Sequence, residues 1–361
     1  VSASIRLTID LAAIVDNWRS LSERAFPAEC AAVVKADAYG LGMPRVVQAL
    51  AAAGCRSFFV AYLEEGLDLL DVAHGANVYV LSSIPLGDEK AALSAGLIPV
   101  VNNLADLRRF KAAAGRAKPP LALHLDTGIH RLGLNETELT TLREHRDMLS
   151  GIEIKLIMTH LVTAETPAHP LNRRQRERFI KGLGGLPTAI TSMAASSGIF
   201  LDSSYHFDMV RAGAALFGIN PIPYAPNPMK PAISLEARVL QINDVAAGET
   251  VGYGADFVVQ HPSRIATLSI GYADGIPRVL SNRGNVHIGG QLCPIVGRVS
   301  MDLMTIDVTG LKEGMLKTDD FVEIIGPNHS LDEVAAEAET IGYELLTRLG
   351  CRASRHYLAA E

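Results

Sequence analysis

Cysteine is scarce in this 361-residue chain: Cys30, Cys55, Cys293 and Cys351 stand far apart and form no C-x-x-C pair. That spacing gives no basis for a zinc or other metal centre, or for a disulfide framework, and free thiols suit a reducing cytoplasm. Positive charge is also in short supply. Lys and Arg number 33 against 39 Asp and Glu, a net charge of −6, with no basic run and no basic–aromatic stripe. Nucleic acid is therefore excluded as a partner. No apolar stretch is long enough to span a bilayer, and no charged segment followed by an apolar core opens the chain, so no membrane association is expected. What is present is 48% hydrophobic and 20% charged residues, the composition of a globular protein with a large core. The length suits two domains, or a barrel with a smaller module.

The segment 7–21 reads as a first helix. Thr8 or Asp10 can cap it, and Leu11, Ile14, Val15, Trp18 and Leu21 follow at helical spacing. Short apolar runs then alternate with amphipathic stretches. The runs cover 30–36, 58–62, 78–82, 98–101, 121–126, 154–160, 188–194 and 206–210, with helical patterns at 44–53, 104–114, 138–149 and 172–183. Eight buried strands alternating with helices predict an α/β fold, an N-terminal (β/α)8 TIM barrel. An open doubly wound sheet would carry a glycine-rich phosphate loop after its first strand, and none is present.

Between Asn220 and Pro231 the chain reads NPIPYAPNPMKP, and prolines at this density continue neither a helix nor a central strand. A boundary is expected there, with the barrel at 1–225 and a second domain at 226–361. That smaller C-terminal domain reads as mostly β, with strand patterns at 234–245, 264–270, 285–296, 303–308 and 321–325. Gly289-Gly290 forms a hairpin turn, and Ser330 with Glu333 makes a capping box for a late helix.

In such a barrel, reactive groups gather at the C-terminal strand ends. Lys35 ends the first run, Arg131 follows the fifth, His160 ends the sixth, Ser196 follows the seventh and Arg211 follows the eighth. Each alone has a bland explanation: a snorkelling lysine, a satisfied core histidine, an arginine in an ion pair. Packing has no reason to place all five on one rim. A lysine closing an apolar strand is costly as a buried cation, and a Schiff base with an aldehyde cofactor relieves that cost because the nitrogen becomes part of a conjugated imine.

The stretch VVKADAYGLG (Val33–Gly42) resembles the cofactor-lysine motif of alanine racemases. The resemblance continues in DTGIHRLG (126–133), MTHL (158–161), MVRAGAALFGINP (209–221), TVGYG (250–254), IGYADGIPR (270–278) and VGRVSMD (296–302), and so covers nearly the whole chain. It implies that Lys35 holds pyridoxal 5′-phosphate and is the base on one face of alanine, with Tyr253 the base on the other. It implies a phosphate cradle of Tyr39, Ser196 and the backbone at Gly213 and Ala214, and Arg211 at the pyridine nitrogen. Arg131, Tyr272 and Met301 become substrate contacts, supported by His160, His124 and Asp302. In this family Tyr253, Tyr272 and Met301 reach the site from a second subunit, which implies a homodimer with shared active sites. D-alanine as product implies a bacterial, cytoplasmic enzyme supplying cell-wall peptidoglycan.

The chain departs from the family pattern at several positions. Many members have a carbamylated lysine where His124 stands; either a bound anion such as chloride balances Arg131 in its place, which is the favoured expectation, or His124 accepts a hydrogen bond as the neutral ring. Cys351 replaces a tyrosine that helps hold phosphate in some relatives, Ala195 an asparagine, and Phe217 a tyrosine. Three other activities remain open. A racemase of wider scope would accept serine. A decarboxylase of the ornithine or diaminopimelate type shares the fold, but normally has a carboxylate at the pyridine nitrogen and lacks the TVGYG tyrosine. A non-catalytic cofactor carrier would have no use for the β domain.

Overall fold

The computed structural model describes residues 3–115 and 118–359. These form two units. The first strand, β1 (Ile5–Asp10), corrects the expectation of a helix from Leu7. Ile5, Leu7 and Ile9 are buried and alternate with Arg6, Thr8 and Asp10, the period of a strand with one covered face. The helix is Leu11–Ala25, and of the two candidate caps it is Asp10 that serves, its Oδ1 accepting the Ala13 N–H at 2.9 Å.

The barrel unit has eight parallel strands: β2 (Glu29–Val33), β3 (Ser57–Val60), β4 (Asn77–Val80), β5 (Ile98–Val101), β6 (Pro120–His124), β7 (Glu153–Met158), β8 (Ile190–Ala195) and β9 (Met209–Ala212). They close in sequence order, β9 pairing back onto β2 with Glu29 opposite Met209 and Ala32 opposite Ala212. Ala31, Val33, Phe59, Tyr79, Ile98, Val100, Ala122, Leu156, Met158 and Met209 form one core cluster. Phe59 and Tyr79 stack within it at 4.5 Å.

Side chains along a strand return to the same face every second residue. Two residues beyond the uppermost core residues therefore lies the C-terminal rim: Lys35 after Val33, Asn102 after Val100, His124 after Ala122, His160 after Met158 and Arg211 after Met209. The pleat carries His124 and Arg211 to this end within their strands, while Lys35, Asn102 and His160 lie just beyond the ends of theirs.

The second unit contains β1 together with β10 (Ile233–Val245), the short ribbon β11 (Thr250–Val251) and β12 (Phe257–Val258), β13 (Ser263–Leu268), β14 (Asn285–Ile288), β15 (Gln291–Pro294), β16 (Met304–Asp307), β17 (Phe321–Ile325) and β18 (Ser354–Leu358). Its main sheet runs β15-β14-β17-β10-β1-β18, with β13 joining β10 to β16. β1 is antiparallel to β10 and parallel to β18, with Leu7 facing Leu235 on one side and Arg355 on the other. Gly289 and Gly290, both at positive φ, close the β14–β15 hairpin. The Ser330–Glu333 capping box opens the helix Leu331–Glu337.

The two units are discontinuous in sequence. Residues up to Ala13, Phe217–Ile219 and the chain from Met229 group with the β unit, and Asn220–Pro228 groups with the barrel. No helix among the described residues is long and apolar enough to cross a membrane.

Candidate active site

Lys35 lies two residues past the end of β2, so the strand is shorter than the run 30–36 indicated. Beyond the lysine the chain enters a left-handed turn. Ala36, Asp37, Ala38 and Tyr39 have φ of 53°, 55°, 52° and 57°, and Gly40 and Gly42 continue at positive φ. A non-glycine residue there costs on the order of 1–2 kcal/mol, so four in succession must be held by their surroundings. Glu65 supplies part of the hold: Oε1 accepts the Ala36 N–H at 2.6 Å, while Oε2 accepts from Ala61 at 2.7 Å and Tyr62 at 3.2 Å. Asp37 Oδ1 accepts the Met43 N–H at 2.7 Å, and Ala38 and Tyr39 are buried. The turn fixes the direction in which the half-buried Lys35 side chain leaves the strand. Burial and the nearby Arg131 guanidinium lower the Lys35 pKa from its ordinary 10.5, while Glu65 acts in the opposite sense.

Arg211 lies inside β9 rather than after it, because that strand spans Met209–Ala212 and not the run ending at Val210. It is 3% exposed. Its Nη1 donates to Ser192 Oγ at 2.5 Å and its Nη2 to the Thr159 and Met193 carbonyls at 2.7 and 3.3 Å, with His160 Nδ1 at 3.5 Å. No carboxylate pairs with it among the described residues. Burial lowers its pKa to about 10, which leaves it cationic at neutral pH.

Beside it, His160 is pushed down to about 3 by burial and then by Arg211, Arg131, His124 and Lys35. Its ring is neutral, and with Nδ1 turned to a guanidinium donor the proton resides on Nε2. His124 is held down to about 4, by burial first and Arg211 next. Asn102 Nδ2 donates to the Leu81 and Val100 carbonyls, so its Oδ1 faces His124 Nδ1 at 2.9 Å as an acceptor. The His124 proton is therefore on Nδ1, and buried Nε2, which has no partner among the described residues, presents a lone pair.

Ser196 follows β8 as expected. Its Oγ accepts the Gly213 N–H at 2.9 Å and the Ala215 N–H at 3.2 Å, bonds that do not use the hydroxyl proton. A Cβ on Gly213 would lie 2.7 Å from Tyr39 Oη, so the glycine is what lets the phenol approach the backbone. Ala214 begins the 3-10 turn Ala214–Phe217 and is buried. Arg131 is carried by a loop that Asp126 organises. Asp126 Oδ1 accepts from Gly128, Ile129 and His130 N–H groups, and Oδ2 meets His130 Nδ1 at 3.0 Å. Burial alone would raise this carboxyl, but those bonds hold it below the usual range. Arg131 itself is exposed, with no hydrogen bond or ion pair among the described residues.

In the β unit, Tyr253 is 72% exposed on the turn between β11 and β12. Arg298 lies over that turn, its Cζ 2.8 Å from where a Gly254 Cβ would be, and its Nε bonds Asp256. Tyr272 and Met301 are exposed on two loops joined by backbone bonds, Tyr272 N–H to the Ser300 carbonyl and Ala273 N–H to the Met301 carbonyl, both 3.0 Å. Asp302 on the second loop accepts from Arg352 Nη1 at 2.6 Å.

Residues 9–221 match the model of the alanine racemase N-terminal domain, and residues 232–357 that of the C-terminal domain. The chain belongs to the alanine racemase family. It is 49% identical over 350 residues to an alanine racemase of Acidiphilium cryptum, covering 97% of each chain. To a catabolic alanine racemase of Mesorhizobium japonicum it is 44% identical over 361 residues, covering 99% of this chain and 94% of that one. Among solved structures, alanine racemase from Bartonella henselae with covalently bound pyridoxal phosphate superposes with a TM-score of 0.96 at 41% identity, over 99% and 100% of the two chains. The biosynthetic alanine racemase of Pseudomonas aeruginosa gives 0.92 at 34% identity, over 99% and 100%.

Against this alanine racemase frame, the expected residues fall into two groups. Lys35, His124, Arg131, His160 and Arg211 act on one another electrostatically at the barrel rim, with Tyr39, Ser196, Gly213 and Ala214 in its strand-end loops. Tyr253, Tyr272, Met301 and Asp302 belong to the β unit. The donor set fits pyridoxal phosphate: a lysine of lowered pKa, a serine hydroxyl with glycine backbone beside it, and a buried arginine with no carboxylate partner among the described residues. Several supporting groups escaped the sequence. Glu65 was detectable as a glutamate three residues after Tyr62 at a helix start. Asn102, Ser192, Asp274 and Arg352 meet their partners only through tertiary structure.

Proposed function

We propose that this chain interconverts L-alanine and D-alanine with pyridoxal 5′-phosphate, one base removing the α-proton from one face of the substrate and the conjugate acid of a second returning a proton to the other. The observation that carries the proposal is a rim lysine of lowered pKa on the same barrel end as an arginine buried with no carboxylate partner among the described residues, and a serine Oγ bonded to the Gly213 and Ala215 N–H groups. Lys35 would hold the cofactor through its aldehyde carbon, and Tyr39, Ser196, Gly213 and Ala214 would hold its phosphate. When bound, the cofactor supplies the electron sink that makes the amino-acid α-proton removable. Arg211 would serve the ring nitrogen as a guanidinium that gives up no proton at neutral pH, so that nitrogen would stay unprotonated.

Lys35 Nζ moves the proton on one face and Tyr253 Oη, from the partner subunit, on the other. Two bases spare either group from crossing the substrate plane. His160, neutral with its proton on Nε2, donates toward that tyrosine. Arg131 lies beside the phenol and the substrate, with Tyr272 and Met301 against the methyl group, while His124 and Asp302 support the two loops. A chloride beside Arg131 completes the site. The guanidinium alone would carry it, since the His124 Nε2 lone pair offers an anion nothing.

A homodimer with shared active sites is part of the same proposal, supported by the exposure of Tyr253, Tyr272 and Met301 on the β unit. We place the enzyme in the bacterial cytoplasm, supplying D-alanine for peptidoglycan, a setting supported by four unpaired thiols and by relatives of bacterial origin. The test is α-deuterium incorporation from heavy water with chiral separation of products over a panel of L-amino acids. Rapid inversion of alanine and slow inversion of serine is expected. Carbon dioxide release, or no exchange at all, would refute the proposal.

A further inference from the structure

Two loops of the β unit carry Tyr272 and Met301, and one side chain outside both loops ties them together. Arg352 donates through Nε to Asp274 Oδ1 at 2.7 Å and through Nη2 to Asp274 Oδ2 at 2.8 Å, a two-point pairing with a carboxylate only 4% exposed. Its remaining nitrogen, Nη1, reaches Asp302 Oδ1 at 2.6 Å. Asp274 follows Tyr272 by two residues, and Asp302 follows Met301 by one. Asp274 Oδ2 also accepts the Gly271 N–H at 3.0 Å, which closes the turn bearing Tyr272.

The fit between these loops leaves no slack. A Cβ on Gly271 would lie 2.3 Å from the Ser300 carbonyl oxygen and 2.4 Å from that of Met301. A Cβ on Gly275 would lie 2.5 Å from the Arg348 carbonyl oxygen, so the segment leading to Arg352 is packed against the same turn. Gly350 N–H donates to the Asp274 carbonyl at 3.1 Å. Arg352 is itself half exposed, and a pair so placed contributes little net stability through charge alone. Its planar fork fixes direction instead: three nitrogens meet three oxygens on two carboxylates, a geometry a single ammonium cannot reproduce.

We infer that Arg352 is a positioning residue that sets the spacing of Tyr272 and Met301, and through it the affinity and side-chain selectivity for substrate. The inference rests on the proposal that those two side chains contact the substrate. In the holoenzyme, Arg352→Ala should raise the KM for alanine about tenfold and narrow the alanine-over-serine preference several-fold, with kcat changed less than KM. The visible absorbance of the lysine-bound cofactor should be unaltered. Arg352→Lys should recover only a minor part of the loss. Asp302→Asn cuts the link between the loops while sparing the Arg352–Asp274 pair, and should give a smaller shift of the same kind that does not add to that of Arg352→Ala.

Unchanged KM and selectivity in both Arg352→Ala and Asp302→Asn would overturn the inference, whatever happened to melting temperature. Should Arg352→Ala fail to fold, Asp302→Asn decides alone. Tyr272→Phe and Met301→Ala separate the two levels. If they shift KM or selectivity and the Arg352 and Asp302 variants do not, the positioning role alone fails. If all four are silent, the substrate-contact assignment fails with it.

Discussion

Two neutral histidines held among cations, His124 buried and His160 partly so, should make this enzyme lose stability in mild acid. His124 titrates at about 4 and His160 at about 3 in the folded chain, both against an ordinary 6.5. Unfolded, each would take up a proton once the pH fell below 6.5; folded, neither does until far lower. The unfolded state thus binds more protons between pH 6.5 and about 4 for His124, and between 6.5 and about 3 for His160. Their stabilising contribution is complete above 6.5 and is lost as pH falls through that window. At pH 5 the loss depends only on both folded values lying below 5, since 1.5 pH units below 6.5 amounts to about 2 kcal/mol per group. The pair should together cost about 4 kcal/mol between pH 8 and pH 5. Denaturant unfolding of wild type and His124→Asn, each at both pH values, measures it. The pH-dependent loss should be smaller by about 2 kcal/mol in the variant, because all other titrations cancel in the difference. An identical loss in the two proteins would refute the argument that His124 is held neutral.

Glu65→Gln should be more disruptive than its near-identical shape suggests. The carboxylate serves N–H groups with both oxygens, and the amide would turn a donor toward one set, at a cost of about 2 kcal/mol read as a lowered melting temperature. Because Glu65 raises the Lys35 pKa, its loss should lower that pKa further, seen as faster acetylation of Lys35 at neutral pH in the apoenzyme; slower acetylation would contradict the assignment. Gly213→Ala would place a methyl 2.7 Å from Tyr39 Oη, so one of them must shift. Fluorescence titration should show pyridoxal phosphate affinity reduced about tenfold or more, and an unchanged affinity would remove Tyr39 and Gly213 from the cradle.

The barrel was legible because buried parallel strands read as apolar runs, and all eight runs overlap the strands that close it. Part of its rim followed from period two: once Ala122 and Met209 face inward, His124 and Arg211 stand above them within their strands, while Lys35 and His160 lie two residues past the ends of theirs. The N-terminal strand escaped because the pattern of Leu11–Leu21 extends back onto Leu7, and nothing local distinguishes a one-turn extension from a strand. Only its partners, more than two hundred residues later in β10 and β18, decide. The left-handed turn after Lys35 was equally hidden. Ala36, Asp37, Ala38 and Tyr39 have no intrinsic preference for positive φ, and the carboxylate that holds the first of them belongs to another helix. Asp274 and Arg352 illustrate the same limit: they are 78 positions apart, and charge pairing at that range leaves no periodicity to detect.

The position of β1 also bears on how the molecule is made. In the β unit's main sheet this strand lies between β10 and β18, so β1 leaves the ribosome long before β18 and must wait for it before both its edges are paired. During synthesis the barrel can close as soon as β9 emerges, while β1 remains an open-edged hydrophobic strand attached to it. A gene cut at the proline-rich segment would yield two defective pieces, one with an orphan strand and one with β18 lacking its neighbour. Independent production of the C-terminal part would need residues up to Ala13 restored to it, by fusion or in trans.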